Sequence, residues 1–205
     1  MTATDVPTYL LVDGENIDAT LGMSVLNRRP NPEERPRWDR VMAYAANLWN
    51  GQDDDEDVEI GGAGSHATKG LFFLNATSGQ MPMGFVQALL AMDFTPIPLA
   101  GNGAEKVVDI GIQRTMDAIL ARGVGNVLLA SHDGDYIPQV EALLDAGHEV
   151  GVLAFREFVN AELQHLGERG LTIHDLEDSV GAFNAVLPRV RIIPLEVFDP
   201  TRYLL

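Results

Sequence analysis

The amino-acid sequence predicts an α/β fold in which helices flank both faces of a central, mainly parallel β-sheet. The first observation is that short apolar segments alternate with segments of helical periodicity along the whole chain, which is typical of parallel sheets. The second is that two apolar segments, residues 8–12 and 127–131, each lead into an Asp-Gly pair and then into a helical segment. Ligands of open α/β sheets bind where strands end and helices begin, so these pairs also mark a candidate site.

The predicted strands are short apolar runs, and the predicted helices carry apolar residues three and four positions apart. The strands cover residues 8–12, 69–75, 94–99, 127–131, 148–155 and 171–176. The helices cover residues 17–26, 38–49, 85–92, 107–121, 136–144 and 161–166. Residues 27–37 contain three prolines and are expected to form a loop.

An acidic segment interrupts this alternation at residues 50–65. It is rich in glycine and contains five consecutive acidic residues at 53–57, a composition that predicts a mobile surface loop. A calcium-binding loop is the alternative, but the run lacks the glycine and glutamate spacing of such loops.

A chain of 205 residues is long enough for one domain with a sizeable core, which we expect at residues 1–178. Residues 179–205 form a C-terminal extension with apolar pieces between prolines, which packs either on the domain or on a partner. The sequence leaves open whether the chain forms a homo-oligomer.

Cysteine is absent, so disulfides, a thiol nucleophile and a zinc–thiolate site are all excluded. Residues 1–12 lack the basic region and long apolar run of a signal peptide. Because no apolar segment approaches membrane-spanning length, we expect a cytoplasmic protein without a membrane partner.

The chain is strongly acidic, with 14 basic and 30 acidic residues and a formal net charge of −16. Such a charge argues against sequence-independent binding of nucleic acid through the neutralisation of many phosphates. It remains compatible with a nuclease whose contacts to the phosphates are local and mediated by a metal ion.

Four aspartates can converge if the strands that precede Asp13 and Asp133 are neighbours in the sheet. Asp135 follows Asp133 after one glycine, and Asp109 lies in the first turn of the helix that leads to the central strand. Carboxylates are hard ligands that select Mg²⁺ or Mn²⁺. One or two such ions can bind a phosphodiester, generate hydroxide and stabilise the leaving oxygen.

Each of these residues also has a purely structural interpretation. Asp13 can cap the helix that follows it. Asp109 lies in a first turn, where the helix dipole favours an acidic residue whether or not its side chain binds a ligand. Asp133 and Asp135 can form a turn and a cap. Asn16 can equally bond the backbone of a turn or contact a substrate.

Two further residues are candidate substrate contacts. Lys106 can meet a phosphate, although lysines are more often simply solvated. Ser131 is improbable as a nucleophile because no motif places an acid–base histidine for it, and the adjacent His132 is expected to point elsewhere.

Three motifs in chain order carry a resemblance to a known family. They are Leu-Val-Asp-Gly-Glu-Asn at 11–16, Lys-Val-Val-Asp at 106–109 and Ser-His-Asp-Gly-Asp-Tyr at 131–136. Together they resemble the NYN domain of the PIN-like nuclease superfamily, and within it the LabA-like branch. The resemblance covers about residues 8 to 176. His132 stands where this family is expected to have a small residue.

The resemblance implies a PIN-like, Rossmannoid three-layer fold and metal-dependent cleavage of RNA. It implies catalytic acids and metal ligands at Asp13, Asp109, Asp133 and Asp135, with Asn16 orienting the site. Lys106 and Ser131 complete the expected site as contacts to the substrate, which we expect to be single-stranded RNA.

Three classes of function are therefore in competition. The first is a metal-dependent endoribonuclease using Mg²⁺ or Mn²⁺. The second is a catalytically silent PIN-like module that binds RNA or protein, which the net charge of −16 favours. The third is a metal-dependent phosphohydrolase that acts on a small phosphate ester, for which a closed pocket would be expected.

Overall fold

The computed structural model describes residues 6–49, 67–191, 193 and 195–204, and the structural statements below refer to these residues. The predicted acidic loop at 50–65 lies outside the described residues, so its interpretation stays a prediction.

Six parallel strands form one sheet, as the sequence predicts. They are β1 (Thr8–Asp13), β2 (Thr68–Asn75), β3 (Phe94–Leu99), β4 (Asn126–Ala130), β5 (Val150–Ala154) and β6 (Thr172–Asp175). Their order in the sheet is β3-β2-β1-β4-β5-β6. The order reverses between β1 and β4, which pair directly, with Val12 opposite Ala130. This pair forms the topological switch point at which α/β proteins bind ligands.

Six helices cover the two faces of the sheet. They are α1 (Gly14–Thr20), α2 (Trp38–Asn47), α3 (Met83–Ala91), α4 (Val107–Arg122), α5 (Ile137–Asp145) and α6 (Ala161–His165). Side chains alternate between the faces of a strand, so Leu10 and Val12 of β1 point to one side and Leu11 to the other. Leu10 and Val12 belong to the core beneath α1, α2 and α3, while Leu11 belongs to the core beneath α4, α5 and α6. The three-layer α/β architecture is thereby confirmed.

Several boundaries differ from the predicted ones for local reasons. Helix α1 begins at Gly14, three residues before the predicted start, because the Asp13 carboxylate caps it by accepting the Asn16 N–H. The helical path then continues through a wider π-helical segment, Leu21–Leu26. Strand β5 starts at Val150 and not at His148, because the His148 N–H closes the end of α5 on the carbonyl of Leu143.

The first part of the C-terminal extension is buried on the domain. Ala182, Phe183 and Leu187 join the core beneath α1, α2 and α3. Arg189 follows with only 1% of its side chain exposed. Beyond it, large apolar side chains such as Leu195 and Val197 are exposed. The boundary at residue 178 itself stays a prediction.

Within the described ranges, none of the helices combines the length and the apolar character needed to cross a bilayer.

Candidate active site

The candidate site lies at the carboxyl ends of β1 and β4. Asp13 is the last residue of β1, and the segment Ser131–Tyr136 follows β4 directly. Because the two strands are hydrogen-bonded neighbours, the two Asp-Gly motifs meet although 120 residues of chain separate them. Helix α4 brings Asp109 to the same edge in its first turn.

Three of the four predicted acids form a compact group. Asp109, Asp133 and Asp135 each offer a carboxylate oxygen, and these three oxygens lie within 4.8 Å of one another. Asp109 and Asp133 are half-buried, while Asp135 is exposed. We call these three residues the carboxylate group. Asp13 is not a member of it and lies behind it in the protein.

A tight turn positions Asp133 and Asp135. The Asp133 carboxylate accepts a hydrogen bond from the Asp135 N–H at 3.0 Å, and the Ser131 hydroxyl accepts one from the Asp133 N–H at 3.2 Å. Gly134 between them packs closely on Asn160, because a β-carbon there would lie 2.6 Å from the side-chain nitrogen of Asn160 and would force that side chain to shift. The turn holds both carboxylates at the edge of the sheet.

Close packing of α4 on the sheet positions Asp109. A β-carbon at Gly111 would lie 2.3 Å from Leu99 of β3 and 3.2 Å from Phe73 of β2. The glycine lets the first turns of the helix approach the sheet. Gln113, on the same helix, donates a hydrogen bond of 2.9 Å to the Asp135 carbonyl and ties α4 to the turn.

Asp13 is buried and has three hydrogen-bond donors. They are the Asn16 N–H at 3.1 Å, the Tyr136 hydroxyl at 3.0 Å and the Ser131 hydroxyl at 3.3 Å. Burial raises the pKa of Asp13 to about 6, although the hydrogen bonds from Asn16, Tyr136 and Ser131 oppose that increase. The nearby charge of Asp109 raises the pKa further, so Asp13 senses the carboxylate group electrostatically.

Ser131, predicted as a substrate contact, is fully buried. Its hydroxyl donates to Asp13 and accepts from the Asp133 N–H, so both of its hydrogen bonds are made within the protein. The side chain links the end of β1 to the turn after β4.

Tyr136 is a site residue that sequence reasoning missed. The side chain is fully buried, and its hydroxyl donates to Asp13. Burial and the charge of Asp13 both raise the pKa of Tyr136, so the hydroxyl stays a donor. The available signal was a tyrosine directly after the Asp-Gly-Asp motif, since buried tyrosines need a partner for their hydroxyl.

Lys106 brings a positive charge to the carboxylate group. Its ammonium nitrogen lies 2.6 Å from a carboxylate oxygen of Asp135 and 3.3 Å from one of Asp109. These two partners raise the pKa of Lys106, which therefore stays charged. One ammonium beside three carboxylates leaves the group with excess negative charge. The lysine side chain is 66% exposed, so water also screens this charge.

The family comparison rests on most of the chain. The family model described as "NYN domain" matches residues 7–169, which include strands β1 to β5, the carboxylate group and Asp13. The chain belongs to the NYN domain family. This family is part of the PIN-like nuclease superfamily, as the sequence predicts, and its members are generally nucleases. The LabA-like branch is not distinguished by this match and stays a prediction.

A structural comparison agrees with this NYN fold. The structure of a protein of unknown function from Vibrio parahaemolyticus superposes with a TM-score of 0.60. The alignment covers 88% of this chain and 99% of that chain, at 17% sequence identity. At that identity the similarity establishes a common fold. No curated protein matches the chain.

The donor set of this NYN domain fits a hard divalent cation. Asp109, Asp133 and Asp135 offer only oxygen ligands, and their partial exposure leaves room for water molecules on an ion. The Lys106 ammonium lies within ion-pairing distance of both Asp109 and Asp135, so these two carboxylates already face one cationic group.

His132 holds Asn16 in a defined orientation. The Asn16 side-chain oxygen accepts hydrogen bonds from the His132 backbone N–H at 2.9 Å and from the His132 ring Nδ1 at 3.0 Å. The other ring nitrogen, Nε2, accepts the Phe155 N–H at 2.9 Å. The ring is therefore neutral with its proton on Nδ1, and burial lowers the pKa of His132 to about 4.

A histidine fits at position 132, where a small residue was expected, because its ring stacks on Phe155 at a centroid distance of 5.5 Å. The ring is buried and uses both nitrogens in hydrogen bonds. It therefore acts in positioning and not in proton transfer.

Proposed function

We propose that the protein is a metal-dependent endoribonuclease that hydrolyses single-stranded RNA at the carboxylate group. The observation that carries this proposal is the meeting of Asp109, Asp133 and Asp135 within 4.8 Å, at the switch point of an NYN domain. Acidic side chains this close repel one another unless a cation balances them, so their proximity favours a metal site.

Asp109, Asp133 and Asp135 are the residues that would hold Mg²⁺ or Mn²⁺. Such an ion would polarise the phosphodiester and activate a water molecule. Asp13 supports the group from behind, since Ser131 links its carboxylate to the Asp133 backbone. Asp13 is in addition a candidate ligand, because two of its donors are hydroxyl groups that can rotate.

Lys106 and Asn16 are the candidate contacts to the RNA. Lys106 would be released from Asp135 and Asp109 if these carboxylates held a metal ion, and its flexible side chain could then bind a phosphate. The Asn16 oxygen is occupied by His132, so its amide NH₂ is the end available to donate a hydrogen bond to the substrate.

Cleavage of a labelled single-stranded RNA with Mn²⁺ tests the proposal. Asp133→Asn keeps the side-chain shape but removes a ligand charge, so activity should fall by more than about 100-fold. Asp117→Asn is the matched control, because Asp117 is an exposed acid on α4 outside the carboxylate group. Wild-type rates in Asp133→Asn would contradict the proposal.

A catalytically silent module is the second candidate, because the net charge of −16 disfavours RNA substrates and Lys106 already neutralises part of the carboxylate group. Equal RNA binding with and without Mn²⁺, together with intact RNA, would establish it. Hydrolysis of a small phosphate ester by a protein that ignores RNA would instead identify a phosphohydrolase.

A further inference from the structure

An aromatic pocket opens beside the candidate active site, on the other side of the end of β1. It has a volume of about 510 Å³, and we call it the aromatic pocket. Gly14 and Glu15, the two residues after Asp13, form one wall, while Trp38, Phe72 and Phe85 form others. Its size falls in the range of small-molecule sites, roughly 300–1,000 Å³.

Phe85 offers the partly exposed ring of the aromatic pocket to a flat, uncharged ligand, whereas Trp38 and Phe72 line the pocket from the core and are only 7% and 2% exposed. The Phe72 ring makes edge-to-face contacts with Trp38 and Phe85, at centroid distances of 5.0 Å and 5.3 Å. Gly14 keeps this arrangement possible, because a β-carbon there would lie 2.5 Å from the Phe72 ring. The residue that follows Asp13 therefore shapes the pocket as well as the start of α1.

The rim of the aromatic pocket is polar but carries no excess of positive charge. Arg35 makes two hydrogen bonds to Asp18 at 2.8 Å and 3.1 Å, and Arg37 makes two to Asp39 at 3.0 Å and 2.8 Å. Glu15 adds a further acid. These groups offer donors and acceptors to the edge of a heterocycle, whereas a phosphate would meet carboxylates whose charge balances the two arginines.

The charge of the whole chain indicates what such a pocket contributes. A protein of net charge −16 gains little affinity for RNA from neutralising phosphates. Contacts between bases and aromatic side chains do not depend on that charge and contribute roughly 5- to 150-fold in affinity per base. We propose that the aromatic pocket binds one unpaired nucleobase of the RNA whose phosphodiester lies at the carboxylate group. This inference rests on the proposed function.

A base in the pocket favours single-stranded over duplex RNA as the substrate. A base can enter only when it is unpaired and turned out of its stack, which costs least in single-stranded RNA. The aromatic pocket and the carboxylate group share one edge of the sheet, with the end of β1 between them. One RNA strand that crosses this edge can occupy both.

Fluorescence of Trp38 provides a direct test of occupancy. The chain has two tryptophans, so Trp49→Phe leaves Trp38 as the only one, and Asp133→Asn prevents cleavage. In this double variant without metal, single-stranded oligoadenylate should change the fluorescence to saturation, while duplex RNA of equal length should not. An unchanged fluorescence with single-stranded RNA would overturn the proposal. A fluorescence change with an apolar peptide but not with RNA would overturn it as well.

Variants of Phe85 test the contribution to catalysis. Phe85→Ala should raise KM for RNA cleavage by roughly 5- to 150-fold and leave Mn²⁺ affinity unchanged. Phe85→Leu, which keeps the apolar bulk for folding, should show a smaller increase in the same direction. Met83→Ala is the control, because Met83 lies on the same helix with 58% exposure and does not line the pocket.

The two proposals fail in different ways. Normal RNA cleavage with an unchanged KM in both Phe85 variants would refute the base pocket and leave the nuclease proposal intact. Saturable Trp38 fluorescence changes in the double variant, together with no RNA cleavage by the wild-type protein, would refute the nuclease proposal and support base binding.

Discussion

Asp13 caps a helix and is at the same time hydrogen-bonded to residues of the candidate site. One carboxylate oxygen caps α1 by accepting the Asn16 N–H, and the other accepts the hydroxyls of Tyr136 and Ser131. The capping interpretation and the site interpretation of this residue are therefore compatible. Because the carboxylate has lost most of its contact with water, its pKa is raised to about 6.

Lys106 is one of only two lysines in the chain, and it is the one at the carboxylate group. Its position has two opposing consequences for a nuclease. Under the proposed function, the ammonium would compete with a metal ion for Asp135 and Asp109, and once displaced it would offer a positive charge to the phosphate.

We therefore expect Lys106→Gln to bind Mn²⁺ roughly two- to fivefold more tightly than the wild type, since exposed ion pairs contribute modestly. RNA cleavage at saturating Mn²⁺ should nevertheless fall. Titration calorimetry measures the first effect and initial rates measure the second. Lys69→Gln is the control, because Lys69 is an exposed residue of β2 away from the carboxylate group. Weaker Mn²⁺ binding in Lys106→Gln would contradict the competition.

At the scale of elements, the C-terminal extension is joined to the site through a row of side chains. The Arg189 guanidinium lies 4.9 Å from the centre of the Phe155 ring, and Phe155 stacks on His132, which holds Asn16. Arg189 also pairs with Asp175 at 2.6 Å and with Glu157. The extension thus stabilises the segment that supports Asn16.

The ion pairs of Arg189 dominate the ionisation of Asp175. Burial raises the pKa of Asp175, but hydrogen bonds from Arg189 and from the backbone outweigh it and hold that pKa well below its usual range. Arg189 stays charged because the two carboxylates raise its pKa despite burial.

We expect Arg189→Gln to lower the free energy of unfolding by about 3–5 kcal/mol at pH 7, because it leaves buried carboxylates without their partner. The depressed pKa of Asp175 means that this stabilisation is present above pH 3.8, the unfolded value, and is lost as the pH falls below it. Urea denaturation at several pH values should therefore show the two proteins converging in acid.

Arg202→Gln is the control for this measurement. Arg202 is 78% exposed, and its ion pair with Asp199 is long, at 3.7 Å. Removal of this arginine should therefore change the free energy of unfolding by less than about 0.5 kcal/mol. Equal stability of the Arg189→Gln variant and the wild type at pH 7 would show that the extension is not anchored by this residue.

At the scale of the whole molecule, the fold brings the functional groups to one edge of the sheet while the surface charge repels nucleic acid. The carboxylate group and the aromatic pocket both lie at the carboxyl ends of the strands. Under the proposed function, affinity for RNA would come from a bound metal ion, from base contacts and from few cationic side chains.

This balance predicts a shallow salt dependence. We expect log Kd for single-stranded RNA to change with log salt concentration with a slope magnitude of about 1 to 3, because few phosphates are neutralised. Binding measured by fluorescence anisotropy between low and physiological salt provides the slope. A slope magnitude near 10, as for strongly basic binders, would contradict the local mode of recognition.

Much of the fold could be predicted because its signals are local. Apolar runs and helical spacings within a few residues predict all six strands and all six helices, and β3 has the predicted bounds. The Asp-Gly pairs predict which strand ends carry the acids, since the glycine, the acid and the following helix are neighbours in the chain. The observed ends of helices and strands differ from the predicted ones where a particular hydrogen bond sets them. Examples are the bond that His148 makes at the end of α5 and the cap that Asp13 provides at the start of α1.

The sequence by itself determined the α/β class, the family motifs and the strand ends at which the acidic residues stand. Only the tertiary structure decided which groups touch: that Tyr136 reaches Asp13, that Lys106 pairs with Asp135, and that His132 holds Asn16. The reason is physical. Secondary structure follows from steric and apolar patterns within a few residues, whereas these contacts join segments 29 to 123 positions apart and exist only once the strands have packed in their final order.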